Sequence, residues 1–348
     1  MEDMSFGKKL LFSLVTALTA VIVYGITLCI LVKEFHTILL VLLIAAVVLG
    51  AVLLVLLIAL DSKSKKIKAG VIAGLSVLGV LIIFSSVIMV IAPMMLFPKN
   101  HDEDAYDEMV ELAAAKDNTV EQISCGDLTG WRICARNLRE DDKRPVILFF
   151  AGNGMNSSRT AELFMFDEPE LYAPLCSDYD FVYFDYPGYG TSAGEPTGDS
   201  LRQMALDVFD EVDSWSTTSS IICFGYSIGT GPATYCASQK DADGLVLWAP
   251  YANSYDVYNN VMDVFHGPMK LLVLYKMNSE KYIKDVECPI LIMASDTDEV
   301  IPYESSRALF ASAGGSSDFM TISGIGHNDF WVNDKVIEST AEFAGEVS

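Results

Sequence analysis

Basic residues are scarce in this sequence of 348 residues. Lysine and arginine together number 23 against 46 aspartates and glutamates, which leaves a net charge of −23. A nucleic-acid-binding protein needs clustered lysines and arginines to contact phosphates, so this balance argues against that class. Disorder is also unexpected, because 51% of the residues are hydrophobic and disordered chains are poor in such residues.

Motifs for the common cofactors and metals are missing as well. The sequence contains no CxxC pair, no HExxH, and neither the Walker nor the dinucleotide-binding glycine fingerprint. We therefore expect no cofactor and no metal.

The charge is divided unevenly along the chain. Residues 1–68 carry seven lysines and four acidic residues, a net charge of +3, so the remaining 280 residues carry −26. The mean hydropathy is nevertheless positive, at +0.34. A basic, apolar front followed by an acidic body resolves this conflict.

Three apolar stretches occupy the first hundred residues: Leu10–Val32, Thr37–Leu60 and Ala69–Phe97. Each is long enough to cross a bilayer as a helix, so residues 1–97 are predicted to form a three-span integral membrane anchor. A cleavable signal peptide is the alternative for the first stretch. The length of that stretch and the second one starting four residues later argue against it.

The lysines predict the orientation of this anchor. The loop Asp61–Lys68 has four lysines, whereas Lys33–His36 has one, so the former is expected to be cytoplasmic. Three crossings then place the rest of the chain on the extracytoplasmic side. The acidic segment 98–118 is interpreted as a linker, with a helical turn or two around Tyr106–Lys116.

From residue 119 to 348, short apolar runs alternate with helical patterns. Eight strands are predicted, at Glu121–Cys125, Trp131–Ala135, Val146–Phe150, Phe181–Phe184, Ile221–Phe224, Gly244–Trp248, Ile290–Ala294 and Phe319–Ile322. Near-continuous apolar runs are typical of strands buried on both faces of a parallel sheet. The first two flank GDLTG and predict a hairpin, which Cys125 and Cys134 could bridge by a disulfide. The predicted fold class is α/β, with a mostly parallel sheet flanked by helices.

The strongest chemical signal is Gly225-Tyr226-Ser227-Ile228-Gly229, between an apolar strand and a helical stretch. A strand that turns abruptly into a helix leaves little room beside its apex, so glycines are needed two positions on either side. This pattern predicts that Ser227 is a nucleophile.

A serine nucleophile requires a histidine base, and the chain has four histidines. His36 lies between predicted spans, His101 in the acidic linker and His266 in an apolar stretch. His327 follows the last predicted strand and comes directly after Gly324 and Gly326, which favour a turn, so it is the predicted base.

A carboxylate should orient that histidine, and SDTDEVIP after the seventh predicted strand offers two. Asp298 is preferred because DEVIP places it at the turn of the loop, and Asp296 remains the alternative. Two backbone N–H groups should stabilise an oxyanion. Ile228 follows the nucleophile, and Asn153 lies in the glycine-rich AGNG loop after the third predicted strand, so these two are the candidates.

Five motifs appear in order between residues 119 and 345: AGNG, FVYFDYPGYGTSAGEPT, FGYSIGTGPAT, SDTDEVIP and GIGHND. Together they resemble the alpha/beta-hydrolase superfamily, in particular its membrane-tethered serine hydrolases related to the Bem46 group. The resemblance implies Ser227 as nucleophile, Asp298 as acid and His327 as base, with Asn153 and Ile228 as oxyanion donors. It also implies that residues 185–192 form a structural loop beside the active site. One departure is Ala151-Gly152, where the family commonly has His-Gly.

These observations predict a membrane-anchored serine hydrolase of carboxylic esters or thioesters, acting on a small-molecule or lipid-like acyl substrate. A serine peptidase of the same fold is one alternative, and a catalytically silent membrane-bound binding module is the other. The stretch between the sixth and seventh predicted strands is rich in tyrosine, methionine, phenylalanine and leucine. It is interpreted either as a lid for an acyl chain or as ordinary core helices.

Overall fold

A computed structural model describes residues 102–114, 119–139, 142–263, 265–273 and 275–348. Of the first hundred residues it describes Val48, Gly50, Ala73, Gly74, Ser76, Val77, Gly79, Val80, Phe84 and Phe97, which are helical apart from Phe97. The three predicted spans therefore lie outside the described residues except at these positions. Within the described ranges, no helix combines the length and the apolar character that a bilayer crossing requires.

An eight-stranded sheet forms the centre of the unit that comprises Leu96–His266 and Tyr275–Ser348. Its strands are β1 Val120–Cys125, β2 Leu128–Ile133, β3 Arg144–Phe150, β4 Asp180–Phe184, β5 Thr218–Tyr226, β6 Gly244–Trp248, β7 Ile290–Ser295 and β8 Ser317–Ile322. The order across the sheet is β1-β2-β4-β3-β5-β6-β7-β8, with β2 antiparallel to both neighbours and the rest parallel. The predicted mostly parallel sheet is confirmed.

The helices of the described residues lie between and beside these strands. They are α1 Glu103–Ala114, α2 Ser157–Glu162, α3 Ala173–Cys176, α4 Gly198–Asp213, α5 Thr230–Gln239, α6 Ser254–Val261, α7 Ser279–Tyr282, α8 Tyr303–Ser312 and α9 Asp334–Val347. Helix α4 begins at a capping box in which Thr197 and Ser200 exchange hydrogen bonds. Its buried side chains recur at three- and four-residue steps, which places them on one face of the helix.

The predicted second strand, Trp131–Ala135, starts three residues later than β2 and ends two residues later. The turn of the hairpin is only Gly126-Asp127, with Gly126 at φ +57°, and β2 already starts at Leu128. Gly130 lies within β2, where the strand runs very close to β4. A larger residue would not fit, because a Cβ at Gly130 would lie 2.3 Å from the Tyr183 carbonyl oxygen. In this register Cys125 is at the turn and Cys134 is beyond the open end, so the two cannot form the suggested disulfide. Both are free thiols.

The segment interpreted as a linker contains a twelve-residue helix, α1. Its Ala105 and Met109 are buried, and Met109 belongs to the main hydrophobic cluster with Trp131 and Phe164. Arg159 on α2 contacts the Glu108 carboxylate at 2.7 Å. This helix therefore packs on the core of the unit that contains the sheet.

The side chains on one face of the sheet form an aromatic core beneath the carboxyl ends of the strands. Trp331 makes edge-on contacts with Phe149, Tyr226 and Trp248, at ring-centroid distances of 5.0–5.4 Å. Rigid aromatic packing of this kind holds the ends of β3, β5 and β6 in fixed positions. The candidate site lies at this edge of the sheet, on the loops that follow β3, β5, β7 and β8.

Candidate active site

Ser227 lies at the sharp turn between β5 and the short 3₁₀ helix Ser227–Gly229, which leads into α5. Its φ of +55° is a left-handed backbone conformation that residues other than glycine rarely adopt. The flanking glycines are sterically required. A Cβ at Gly225 would lie 2.7 Å from the Thr230 Cα, and one at Gly229 would lie 2.0 Å from the Phe150 carbonyl oxygen.

Three side chains meet in a line at this turn. The Ser227 Oγ lies 2.8 Å from His327 Nε2, and His327 Nδ1 lies 2.8 Å from Asp298 Oδ2. Ser227 and His327 are each only 6% exposed, and the Asp298 side chain is 2% exposed. Water is thus largely excluded from these two hydrogen bonds. Each is electrostatically stronger there than it would be in water.

The two candidate aspartates have different surroundings. Asp298 Oδ1 accepts hydrogen bonds from the backbone N–H groups of Val300 and Ile301, at 2.8 Å each, which leaves Oδ2 for the histidine. Asp296 is exposed and accepts from the Gly324 N–H at 3.0 Å. That backbone hydrogen bond holds the pKa of Asp296 below its ordinary value. The structure brings Asp298, and not Asp296, to His327.

The loop that carries His327 is tied to the loop that carries Asp298. The Ile325 carbonyl accepts from the Thr297 hydroxyl at 2.8 Å, and the His327 N–H donates to Glu299 at 3.2 Å. The Tyr226 ring stacks on the imidazole with a centroid distance of 5.3 Å, and its hydroxyl donates to the His327 carbonyl at 3.0 Å.

Tyr226 and Glu299 were not singled out in the sequence. Both are neighbours of candidate residues in the chain, and their contacts to His327 depend on the fold.

The other histidines do not join this group. His36 and His101 lie outside the described residues. His266 is exposed, and its Nε2 lies 2.5 Å from Asp263. In the part of the chain that the structure describes, no cluster of side chains could hold a metal ion.

The loop after β3 lies beside the serine turn. A Cβ at Gly229 would also lie 2.5 Å from the Ala151 carbonyl oxygen, and one at Gly152 would lie 2.7 Å from the Tyr226 ring. Asn153 follows in an exposed turn, in which Gly154 adopts φ +73°. Ile228, the other candidate donor, is 3% exposed and directly follows Ser227.

The loop after β4 packs under the β3 loop. Asp185 is buried and accepts from the Ser157 N–H at 2.7 Å and from the Ser157 hydroxyl at 2.8 Å. Burial raises the pKa of Asp185 to about 6, against the opposing effect of these hydrogen bonds. Tyr186 donates to the Ala151 carbonyl at 2.7 Å. Gly190 is required here, because a Cβ would lie 2.2 Å from Asp185 Oδ2.

Comparisons with known proteins point to one superfamily. No protein-family model matches the chain. Lysophosphatidylserine lipase ABHD12 of Rattus norvegicus is 30% identical over 193 residues, which are 50% of this chain and 47% of that protein. An uncharacterized protein of Mycobacterium tuberculosis, MT2364, is 28% identical over 220 residues, covering 63% of this chain and 74% of the relative. The chain spans about half the length of the ABHD12 relatives that it matches.

Solved structures show the same architecture. The Pyrococcus furiosus esterase Pf2001 superposes with a TM-score of 0.54 at 17% identity, covering 72% of this chain and 99% of the esterase. Est1E of Butyrivibrio proteoclasticus gives a TM-score of 0.50 at 17% identity, covering 66% and 98%. At such identities the likeness concerns the fold. From the sheet order, the serine turn and these relatives, the chain belongs to the alpha/beta-hydrolase superfamily.

Proposed function

We propose that the protein is a membrane-anchored serine hydrolase that cleaves carboxylic esters or thioesters through an acyl-serine intermediate. The observation that carries this proposal is the hydrogen-bonded line from Ser227 through His327 to Asp298, with both contacts at 2.8 Å. A nucleophile, a base in contact with it and a carboxylate that orients the base are the parts that acyl transfer requires.

Acylation begins when the Ser227 Oγ attacks the substrate carbonyl carbon. The hydroxyl proton moves to His327 Nε2, the Oγ–C bond forms, and the carbonyl electron pair moves onto oxygen. Asp298 accepts a hydrogen bond from the Nδ1–H group, which keeps Nε2 available as the base and stabilises the imidazolium. The backbone N–H groups of Ile228 and Asn153 donate to the oxyanion.

The intermediate then collapses and the enzyme is regenerated. The bond to the leaving oxygen or sulfur breaks, and His327 returns the proton to that atom. Water attacks the acyl-serine by the same route: its proton goes to Nε2, the oxyanion re-forms, and the proton passes to Oγ as the carboxylic acid leaves. The strained backbone at Ser227 holds Oγ where it can attack the substrate carbonyl carbon, and leaves the acyl group that Oγ then carries open to attack by water.

A lipid-like acyl substrate is the proposed class. One support is that the ABHD12 relatives are lysophosphatidylserine lipases. The other is the apolar front of the chain, which would hold the hydrolase unit beside a bilayer. The stretch between β6 and β7 is interpreted as a lid or as ordinary core helices. Four of its described residues are buried and contribute to packing: Tyr251, Tyr258, Phe265 and Met277.

A fluorophosphonate probe tests the activity, because it phosphonylates an activated serine. The wild type should be labelled, and Ser227→Ala should not. Ser220→Ala is the matched control: Ser220 lies on β5, the strand that leads to Ser227, is 7% exposed, and its hydroxyl has no partner among the described residues. A folded wild type that resists labelling would establish the silent binding module instead.

Substrate class is tested with matched acyl donors. Hydrolysis of an acyl ester or thioester, with no cleavage of the corresponding amide, is the expected result. The opposite preference would establish the peptidase alternative, since amide cleavage depends on protonating a poorer leaving group.

A further inference from the structure

Two buried tyrosine hydroxyls bond to the two loops that carry the proposed oxyanion donors. Tyr186 donates to the Ala151 carbonyl at 2.7 Å, and Tyr251 donates to the Ile228 carbonyl at 3.1 Å. The two tyrosines come from different loops, one after β4 and the other after β6. Both are at most 1% exposed.

Tyr251 is held tightly in place. Its hydroxyl lies 3.0 Å from the Tyr275 hydroxyl. A Cβ at Gly231, in the first turn of α5, would lie 2.1 Å from it. Burial raises the pKa of Tyr186, Tyr251 and Tyr275, so all three hydroxyls stay protonated and can donate.

Each bonded carbonyl is next to a proposed donor. The Ile228 carbonyl belongs to the same residue as one donor N–H. The Ala151 carbonyl belongs to the peptide group directly before the one that contains the Asn153 N–H. Restraining a carbonyl limits rotation of its own peptide plane. In both cases the donor N–H lies in the adjoining plane, which is joined to the restrained one through a single Cα and therefore has less freedom to turn. An oxyanion hole is effective only when its donors already point at the developing charge.

We propose that Tyr186 and Tyr251 are positioning residues that hold the two sides of the oxyanion hole, without touching the substrate. This inference rests on the proposed function.

Three hydroxyl deletions in the full-length protein test the proposal: Tyr186→Phe, Tyr251→Phe and the control Tyr183→Phe. Tyr183 lies on β4, is 2% exposed, and its hydroxyl has no hydrogen-bond partner among the described residues. All three changes remove one buried hydroxyl and keep the ring. End-point labelling by a fluorophosphonate first establishes that each variant is folded with an intact Ser227. If one test variant does not fold, the other decides.

Two readouts separate positioning from general loosening. With a p-nitrophenyl ester, kcat should fall about tenfold in each test variant while KM changes less than about twofold. A trifluoromethyl ketone, which forms an oxyanion adduct with the serine, should lose affinity in parallel with kcat. The matching methyl ketone, which binds without the adduct, should not. Tyr183→Phe should resemble the wild type.

Unchanged kcat in the test variants, or a fall that Tyr183→Phe reproduces, would overturn the inference. A lower kcat with unchanged affinity for the trifluoromethyl ketone would overturn it as well. In both cases an active, labelled wild type leaves the proposed function standing. A folded wild type with neither labelling nor turnover would overturn the proposed function and this inference together.

Discussion

Asp296 and Asp298 stand two residues apart in one acidic loop, and their hydrogen bonds distinguish them. Asp298 is buried against His327, whereas Asp296 is exposed and caps a glycine N–H in the neighbouring loop. We expect Asp298→Asn to lower kcat on the order of a thousandfold or more, because an amide favours the wrong histidine tautomer.

Asp296→Asn is the matched control and should stay within about threefold of the wild type, as surface substitutions usually do. Ester hydrolysis measured on both variants checks this. The reverse ranking would assign the carboxylate role to Asp296.

Asp185 makes stability depend on pH. Its pKa is raised by burial from 3.8 to about 6 in the folded protein. The folded state therefore holds this proton more tightly than the unfolded state does. The resulting stabilisation is fully present below pH 3.8 and is lost as pH rises through about 6.

The Asp185→Asn variant should lack this dependence. Between pH 4 and 7, the free energy of unfolding of the wild type should fall by about 2 kcal/mol relative to the variant. Denaturant titrations at several pH values measure the difference. Parallel pH profiles would show that Asp185 is ionised at its ordinary pKa.

Helix α1 is longer than the helical turn or two that the sequence predicts around Tyr106–Lys116. The segment 98–118 is strongly acidic, and charged segments of this kind are typical of linkers. The helix nevertheless packs on the folded unit through about one buried side chain per turn. Met109 is 1% exposed, whereas the adjacent Val110, on the outer face, is 39% exposed.

A matched pair of substitutions tests whether α1 belongs to the cooperative unit. Met109→Ala should reduce the free energy of unfolding by about 2–4 kcal/mol, because it leaves a cavity in the core. Val110→Ala should change it by less than about 0.5 kcal/mol. Denaturant unfolding of the detergent-solubilised chain measures both. Equal effects would mean that α1 unfolds separately.

Strand positions were predictable because burial on both faces produces uninterrupted apolar runs, as in β3, β5 and β6. The hairpin of β1 and β2 was harder to predict. Thr129 and Gly130 resemble turn residues, and only the pairing of β2 with β4 explains why a glycine lies within the strand.

For the whole molecule, the contrast between a basic apolar front and a body of charge −26 supports the proposed membrane anchor. Phe97, the last residue of the third predicted span, is buried against the Tyr275 ring at 4.8 Å. The proposed topology places everything after this residue on the extracytoplasmic side.

Sealed vesicles that expose only the cytoplasmic face test this topology. The full-length chain should sediment with the membranes after alkaline carbonate extraction. Added protease should leave the hydrolase unit intact until detergent is added. Digestion before detergent is added would show that the hydrolase unit lies on the cytoplasmic side. Release by carbonate would show that the chain is not anchored in the membrane.

The sequence by itself determined the local geometry of the serine turn, since only glycine fits at positions 225 and 229, and it determined the order of the strands along the chain. It also singled out His327, because few histidines were available. The tertiary structure decided which aspartate meets that histidine, how α1 packs, and that Tyr186 and Tyr251 bond to the loops beside Ser227. These contacts join residues that are far apart in the chain, and a local sequence pattern does not record which distant residues meet.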